Sequence, residues 1–201
     1  MGRSEGDDQP TSNILYPCMQ CADVFFLKAD ICQLGMDQRK VNMLARDYCK
    51  DPIKPIIISS HMIMGLKEGQ EKMSKSDPNS AIFMEDTAKD VDKKIQKAYC
   101  PEKIVEKNPI VDYVRYIILP AFDFEFVIQK GLDNGETENR IYRSYEQFEG
   151  DYVEGVIHPK DVKVAVAKAI NKLLQPVRDH FTNDPYARSL KETISRWMEE
   201  L

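Results

Sequence analysis

Ala29-Asp30-Ile31-Cys32-Gln33-Leu34-Gly35-Met36-Asp37-Gln38-Arg39-Lys40 reads as a strand that hands over to a helix. Ala29 to Leu34 is a short, mostly apolar run that stops at Gly35. After Lys40, the residues Val41, Leu44, Ala45 and Tyr48 recur at helical spacing. Pro55 to Ser59, built around Ile56-Ile57-Ile58, has the continuous apolar character of a second buried strand. Strand, helix and strand together make this part of the chain α/β. Gly35 to Gln38 then lies where parallel α/β sheets bind ligands, with glycine for close approach and an aspartate suited to ribose hydroxyls. The same residues also suit an ordinary strand-to-helix turn.

Upstream, Tyr16 to about Phe26 has helical character. Tyr16, Gln20 and Asp23 fall at i, i+4 and i+7 and share one face, with Met19, Ala22, Val24, Phe25 and Phe26 around them. A phenol, an amide and a carboxylate on one face can recognise a polar small molecule. They equally fit an amphipathic helix that turns its polar side to water. Residues 1–13 are polar and expected to fray, with structure beginning near Ile14.

Downstream of the second strand comes Glu71-Lys72-Met73-Ser74-Lys75-Ser76-Asp77, with Gly65 and Gly69 before it and Pro78 after it. No apolar period runs through this stretch, so it reads as a mobile loop. Two ammonium groups on such a loop suit the charge that develops when a triphosphate releases pyrophosphate.

From Thr87 the pattern becomes mostly helical. Thr87 and Asp90 form a capping-box start, followed by Val91, Ile95 and Ala98 on one face and by Lys89, Lys93, Lys94 and Lys97 as a basic flank. Asn108-Pro109 opens a helix with the stripe Ile110, Val114 and Ile117, expected to end before Pro120. Phe124 to Lys130 alternates as a strand, and Gly131 to Asn139 reads as a polar loop. Ser144 with Gln147 starts a short helix. His158-Pro159-Lys160-Asp161 starts a long one carrying Val162, Val166, Ile170, Leu173, Val177 and Phe181, with Pro176 near its end. Asp184-Pro185 opens a last helix, with Tyr186, Leu190, Ile194, Trp197 and Leu201 on its expected buried side.

The chain has 201 residues, enough to bury a core in one large or two small domains. Its net charge of −5 places any contact with nucleic acid on a local patch, not on overall charge. No apolar run reaches membrane-spanning length and no signal-peptide pattern opens the sequence, so the expected address is the cytoplasm, with no membrane partner. Cys18 and Cys21 form the single CxxC pair. No second pair or matching histidines complete a zinc site, so the five cysteines read as reduced thiols, mostly buried, and no metal site is expected.

From Tyr16 to about Phe181 the chain resembles the tyrosyl-tRNA synthetases of the archaeal and eukaryotic type. Four blocks carry the resemblance: Tyr16-Pro17 through Gln20 to Asp23; Asp30 through Gly35 to Asp37-Gln38-Arg39-Lys40; Lys72 to Ser76, which is similar to the family's KMSKS signature; and Ala98-Tyr99-Cys100-Pro101. His158 to Asp161 with its long helix also resembles the family's anticodon-binding domain. The resemblance implies the second half of a Rossmann-like catalytic domain over 14–86 and a mostly helical anticodon-binding domain over 87–201. Tyr16, Gln20, Asp23 and Gln38 would line a tyrosine pocket, and Gly35 and Asp37 would face the ATP ribose. Lys72 and Lys75 would act on the leaving pyrophosphate, with Met73, Ser74 and Ser76 beside the ATP. His158 and Asp161 would lie at the anticodon of tRNA-Tyr. Magnesium would come with ATP, held mainly by phosphates and water.

The chain departs from the family pattern. The HIGH signature and the first strands of the Rossmann domain are absent, and that half normally supplies ATP contacts and most of a homodimer interface. The chain alone is therefore expected to be incomplete for catalysis. The loop before the His-Pro motif lacks the usual aromatic. The alternative reading is a tRNA- or RNA-binding module without catalysis, derived from a truncated synthetase.

Overall fold

Two parallel strands organise the first part of the chain. β1 (Ile31–Gly35) pairs with β2 (Ile56–Ser60) in the register Ile31↔Ile56 to Gly35↔Ser60. The connection between them is the right length for a crossover helix, and it contains one: a 3-10 turn, Met36–Gln38, runs into α2 (Arg39–Tyr48). In this computed structural model, residues 10–70, 72–73, 77–123, 125–131 and 135–199 are described. α1 (Thr11–Phe26) begins before the expected Ile14 and contains Pro17. It packs on α2 through Cys21, Val24 and Ala45, and Phe25 meets Tyr48 edge to face with ring centroids 5.9 Å apart. Arg46 Nη1 donates to the Pro55 carbonyl at 2.6 Å, tying α2 to the start of β2.

The chain divides into two compact units, Met1–Met62 and Ile63–Leu201. The domain boundary that the helical pattern and the resemblance imply lies later, between Asp86 and Thr87. The difference has a packing cause. Leu66 is buried in the core of the second unit, and Ile63, Met73 and Ile82 pack against that core, so the stretch before Thr87 sits with the helices that follow it.

In the second unit α3 (Ala88–Lys97) lies against α7 (Pro159–Asn183). Thr87 and Asp90 make the expected capping box, with both reciprocal bonds present. Lys94 does not belong to a solvated basic flank. Its Nζ lies 2.7 Å from Asp86, donates to the Ala81 carbonyl at 3.0 Å and is nearly buried, whereas Lys89, Lys93 and Lys97 are exposed. The helical run opened by α4 (Pro109–Tyr113) does not end before Pro120. A π-helical stretch, Val114–Ile118, follows it and runs directly into α5 (Leu119–Ala121), which contains Pro120.

The unit is not wholly helical. β3 (Phe126–Gly131) pairs antiparallel with β4 (Thr137–Tyr142), so the expected polar loop from Gly131 to Asn139 is in part a strand. The hairpin turns Phe126 and Tyr142 onto Phe148 of α6 (Tyr145–Glu154), and Phe148 stacks on Tyr152 with centroids 5.9 Å apart. α8 (Pro185–Glu199) contributes Ala187 to the interior. Its larger apolar residues are exposed: Tyr186 at 74%, Leu190 at 45%, Ile194 at 52% and Trp197 at 61%. The stripe is present, but among the described residues nothing covers it. Leu201 lies outside them. No helix among the described residues is long and apolar enough to cross a membrane.

Candidate functional sites in the two units

In the first unit the carboxyl ends of β1 and β2 lie side by side, because Gly35 pairs with Ser60. Gly35 has ordinary extended backbone, φ −62°, so it is not a conformational glycine. Its role is steric: a Cβ there would run into the Met62 side chain and come within 2.8 Å of Asp37 Oδ1. Asp37, two residues beyond the strand, can thus fold its carboxylate back over the strand end. Asp37 itself is exposed. Arg39 Nη1 reaches Ser59 Oγ at 3.4 Å, placing a cation at the same strand ends, a feature that the sequence reading did not single out.

Among the described residues a side-chain hydrogen bond joins the polar face of α1 to this edge. Gln20 Nε2 donates to Gln38 Oε1 at 3.1 Å. The Gln20 Oε1 atom is buried and accepts no hydrogen bond among the described residues. A buried acceptor without a donor is costly, and such a group is a natural contact for a ligand donor. Tyr16 and Asp23 share the face by helical spacing but are exposed, and their side chains make no hydrogen bond among the described residues. They do not form the buried polar cluster that their spacing allows.

In the second unit the lysine-serine stretch is held at both stems. Leu66 N–H donates to the Ser80 carbonyl at 2.9 Å, and Tyr99 N–H donates to the Leu66 carbonyl at 2.8 Å. Gly69 adopts φ +69°, which favours glycine, and lets the chain turn back so that Gln70 N–H meets the Lys67 carbonyl at 3.3 Å. Lys67 and Asp77 form an ion pair across the loop, and that hydrogen bond holds the Asp77 carboxyl below its usual range. Met73 packs against the core and receives the Tyr113 hydroxyl at 3.9 Å. Lys72 is exposed. Ser74, Lys75 and Ser76 lie outside the described residues.

At the start of α7 the helix cap is His158: its Nδ1 accepts from the Lys160 N–H at 3.1 Å, and its Nε2 lies 3.0 Å from Glu102 Oε1. Asp161, one turn on, neither caps its helix nor pairs with a cation among the described residues. It lines a groove of about 370 Å³ between β3 and α7, with Phe122, Val127, Gln129, Lys168 and Lys172. Glu102 was not singled out in the sequence. Its neighbour Pro101 ends the Ala98-Tyr99-Cys100-Pro101 block, which was the only signal pointing toward it. Among the described residues no group of three or more His, Cys, Asp or Glu is placed to hold a metal ion.

The model of the class I tRNA synthetases (W and Y) matches residues 2–175. The chain is 57% identical over 200 residues to the cytoplasmic tyrosine–tRNA ligase 1 of Arabidopsis thaliana, a match that covers 98% of this chain and 51% of that protein. Among solved structures, it superposes on the Leishmania major tyrosyl-tRNA synthetase in complex with tyrosinol with a TM-score of 0.81 at 42% identity, covering 98% of this chain and 31% of that one. The Pyrococcus horikoshii tyrosyl-tRNA synthetase complexed with L-tyrosine gives a TM-score of 0.80 at 32% identity, covering 96% of this chain and 58% of that one. The chain thus spans about half the length of the Arabidopsis relative.

Proposed function

Because the chain belongs to the class I tRNA synthetases for tryptophan and tyrosine, and within them to the tyrosyl-tRNA synthetase family, we propose that it forms the C-terminal part of a tyrosine–tRNA ligase acting on tyrosine, ATP and tRNA-Tyr. The observation that carries this reading is the meeting of Gln20 with Gln38 at the carboxyl end of a parallel strand pair, with one buried amide oxygen left for a ligand. Two sequence blocks 18 residues apart converge there on a site suited to a small polar substrate.

On this reading residues 14–86 belong to the catalytic domain and 87–201 bind the anticodon arm. Tyr16, Gln20, Asp23 and Gln38 contact tyrosine, and Gly35 and Asp37 contact the ATP ribose. The tyrosine carboxylate attacks the α-phosphorus, and pyrophosphate leaves against the charges of Lys72 and Lys75, with Met73, Ser74 and Ser76 in the same loop. Magnesium accompanies the nucleotide, held by its phosphates and water. The tRNA hydroxyl then attacks the adenylate carbonyl and AMP departs. The exposed Ile31, Leu34, Ile56 and Ile58 of the strand pair support a catalytic domain that is completed by further parallel strands, since parallel sheets are normally covered on both faces. The complete protein is read as a cytoplasmic homodimer.

On this reading His158 and Asp161 lie at the anticodon, and Asp161→Asn tests it. The carboxylate makes no bond within the described residues, and a charge in the first helical turn contributes about 0.3–1 kcal/mol, so the melting temperature should barely move. Binding of a synthetic tRNA-Tyr anticodon stem-loop, followed by fluorescence anisotropy, should weaken about tenfold. Unchanged binding with a lowered melting temperature would mean that Asp161 serves only its helix.

A further inference from the structure

Resting on the reading that His158 meets the tRNA, we propose that Glu102 is a positioning residue: it fixes the His158 ring so that the ring offers the RNA only its face. A backbone N–H can only donate, so Nδ1, which meets the Lys160 N–H at 3.1 Å, is the unprotonated nitrogen. The proton of the neutral ring is therefore on Nε2, and Nε2–H donates to Glu102 Oε1 at 3.0 Å. With both nitrogens engaged, no polar ring atom remains for a base edge. What remains is the flat surface of a side chain that is 59% exposed.

Glu102 can hold the ring because its own backbone is held. Tyr152, fully buried, donates its hydroxyl proton to the Pro101 carbonyl at 2.6 Å. The same oxygen accepts from Asn108 Nδ2 at 3.1 Å and lies 3.2 Å from Cys100 Sγ, which is left as the donor. Asn108 Nδ2 also reaches the Ile104 carbonyl at 2.9 Å, on the far side of Glu102. Lys103 turns at φ +61°, and its stem lies over Gly155, where any Cβ would meet it. Glu102 thus projects from a short turn fastened to the interior at Pro101 and Ile104. This gives a function to the Ala98-Tyr99-Cys100-Pro101 block. The Glu102–His158 pair is itself solvent-exposed, with side chains 65% and 59% accessible, so it adds little to folding stability. Its effect falls on the orientation of the ring. A base stacks on a ring held in one plane with less loss of freedom than on one that rotates.

Two measurements on the full chain test this. The first is binding of a synthetic tRNA-Tyr anticodon stem-loop by fluorescence anisotropy. His158→Asn keeps a capping oxygen but removes the ring, and should weaken binding about tenfold. Glu102→Ala should weaken it about fivefold, and Glu102→Gln, which keeps the acceptor oxygen, should stay within about twofold of the unaltered chain, with melting temperatures alike in all three. The second is a proton–nitrogen NMR correlation of the His158 ring, expected to show a single Nε2-protonated tautomer that becomes mixed in Glu102→Ala. Weakened binding in His158→Asn with full binding in Glu102→Ala would overturn the role of Glu102 and leave the anticodon reading standing. Full binding in His158→Asn, or no binding by the unaltered chain, would overturn that reading and the proposal with it. A ring protonated on Nδ1 would overturn the proposal whatever the RNA does.

Discussion

Lys72→Ala, made in a complete enzyme that contains this chain, should lower the rate of tyrosyl-adenylate formation about 10²–10³-fold while changing tyrosine affinity little. Lys72 is exposed and has no partner among the described residues, so its ammonium is available for a ligand and its loss costs no folding energy. The neighbouring Met73 is seated on the core under Tyr113, and the loop stems are closed by the Leu66–Ser80 hydrogen bond. Lys72 therefore extends from a loop of defined origin. A charge that acts mainly on leaving pyrophosphate lowers kcat more than it raises KM for tyrosine. Pre-steady-state adenylate formation is the measurement. A loss confined to tyrosine affinity would place Lys72 in ground-state binding instead.

Asn108→Ala should be the most destabilising single change outside the apolar core, at about 2–4 kcal/mol. Asn108 is 1% exposed and every polar atom of its side chain is engaged. Its Oδ1 accepts from the N–H groups of Ile110 and Val111 at 3.1 and 3.3 Å, capping α4. Its Nδ2 donates to the Ile104 carbonyl and to the Tyr152 hydroxyl. Alanine would leave two helix N–H groups and the Ile104 carbonyl without these partners. Chemical denaturation should show the loss as a lower midpoint with an unchanged slope. Asn108→Asp restores the cap alone, because a carboxylate cannot donate to Ile104 or Tyr152, and should recover only part of the stability.

Much of this architecture was legible in local chemistry. The helical spacing from Val41, the Thr87–Asp90 box and the Asn108-Pro109 start each specify a backbone state within a few residues, and each is present; Gly35 marks the end of β1 through the close approach it permits. The Gln20–Gln38 contact was legible only as a resemblance, because nothing in two separate stretches says that they meet. β4 was missed because Thr137 to Tyr142 is polar on its solvent side. The Asn134-Gly135 dipeptide, a hairpin-turn signal, was the available clue. Lys94 was grouped with the basic flank because spacing along α3 does not reveal Asp86 and the Ala81 carbonyl, which come to it from another segment. The stripe on α8 was read correctly as a stripe and wrongly as buried, since amphipathicity supplies a face but not a partner. Glu102 was invisible for the same reason as Lys94: its partner is 56 residues away.

The central claim is that this chain carries the tyrosine-recognising and loop-lysine portion of a tyrosine–tRNA ligase. It is tested most directly by ATP–pyrophosphate exchange on a fusion in which the chain follows the N-terminal half of the Arabidopsis relative, with the chain alone as reference. The account predicts exchange that depends on tyrosine and not on tryptophan in the fusion, and none from the chain alone. A folded fusion that shows no tyrosine-dependent exchange, while the intact Arabidopsis protein does, would contradict it.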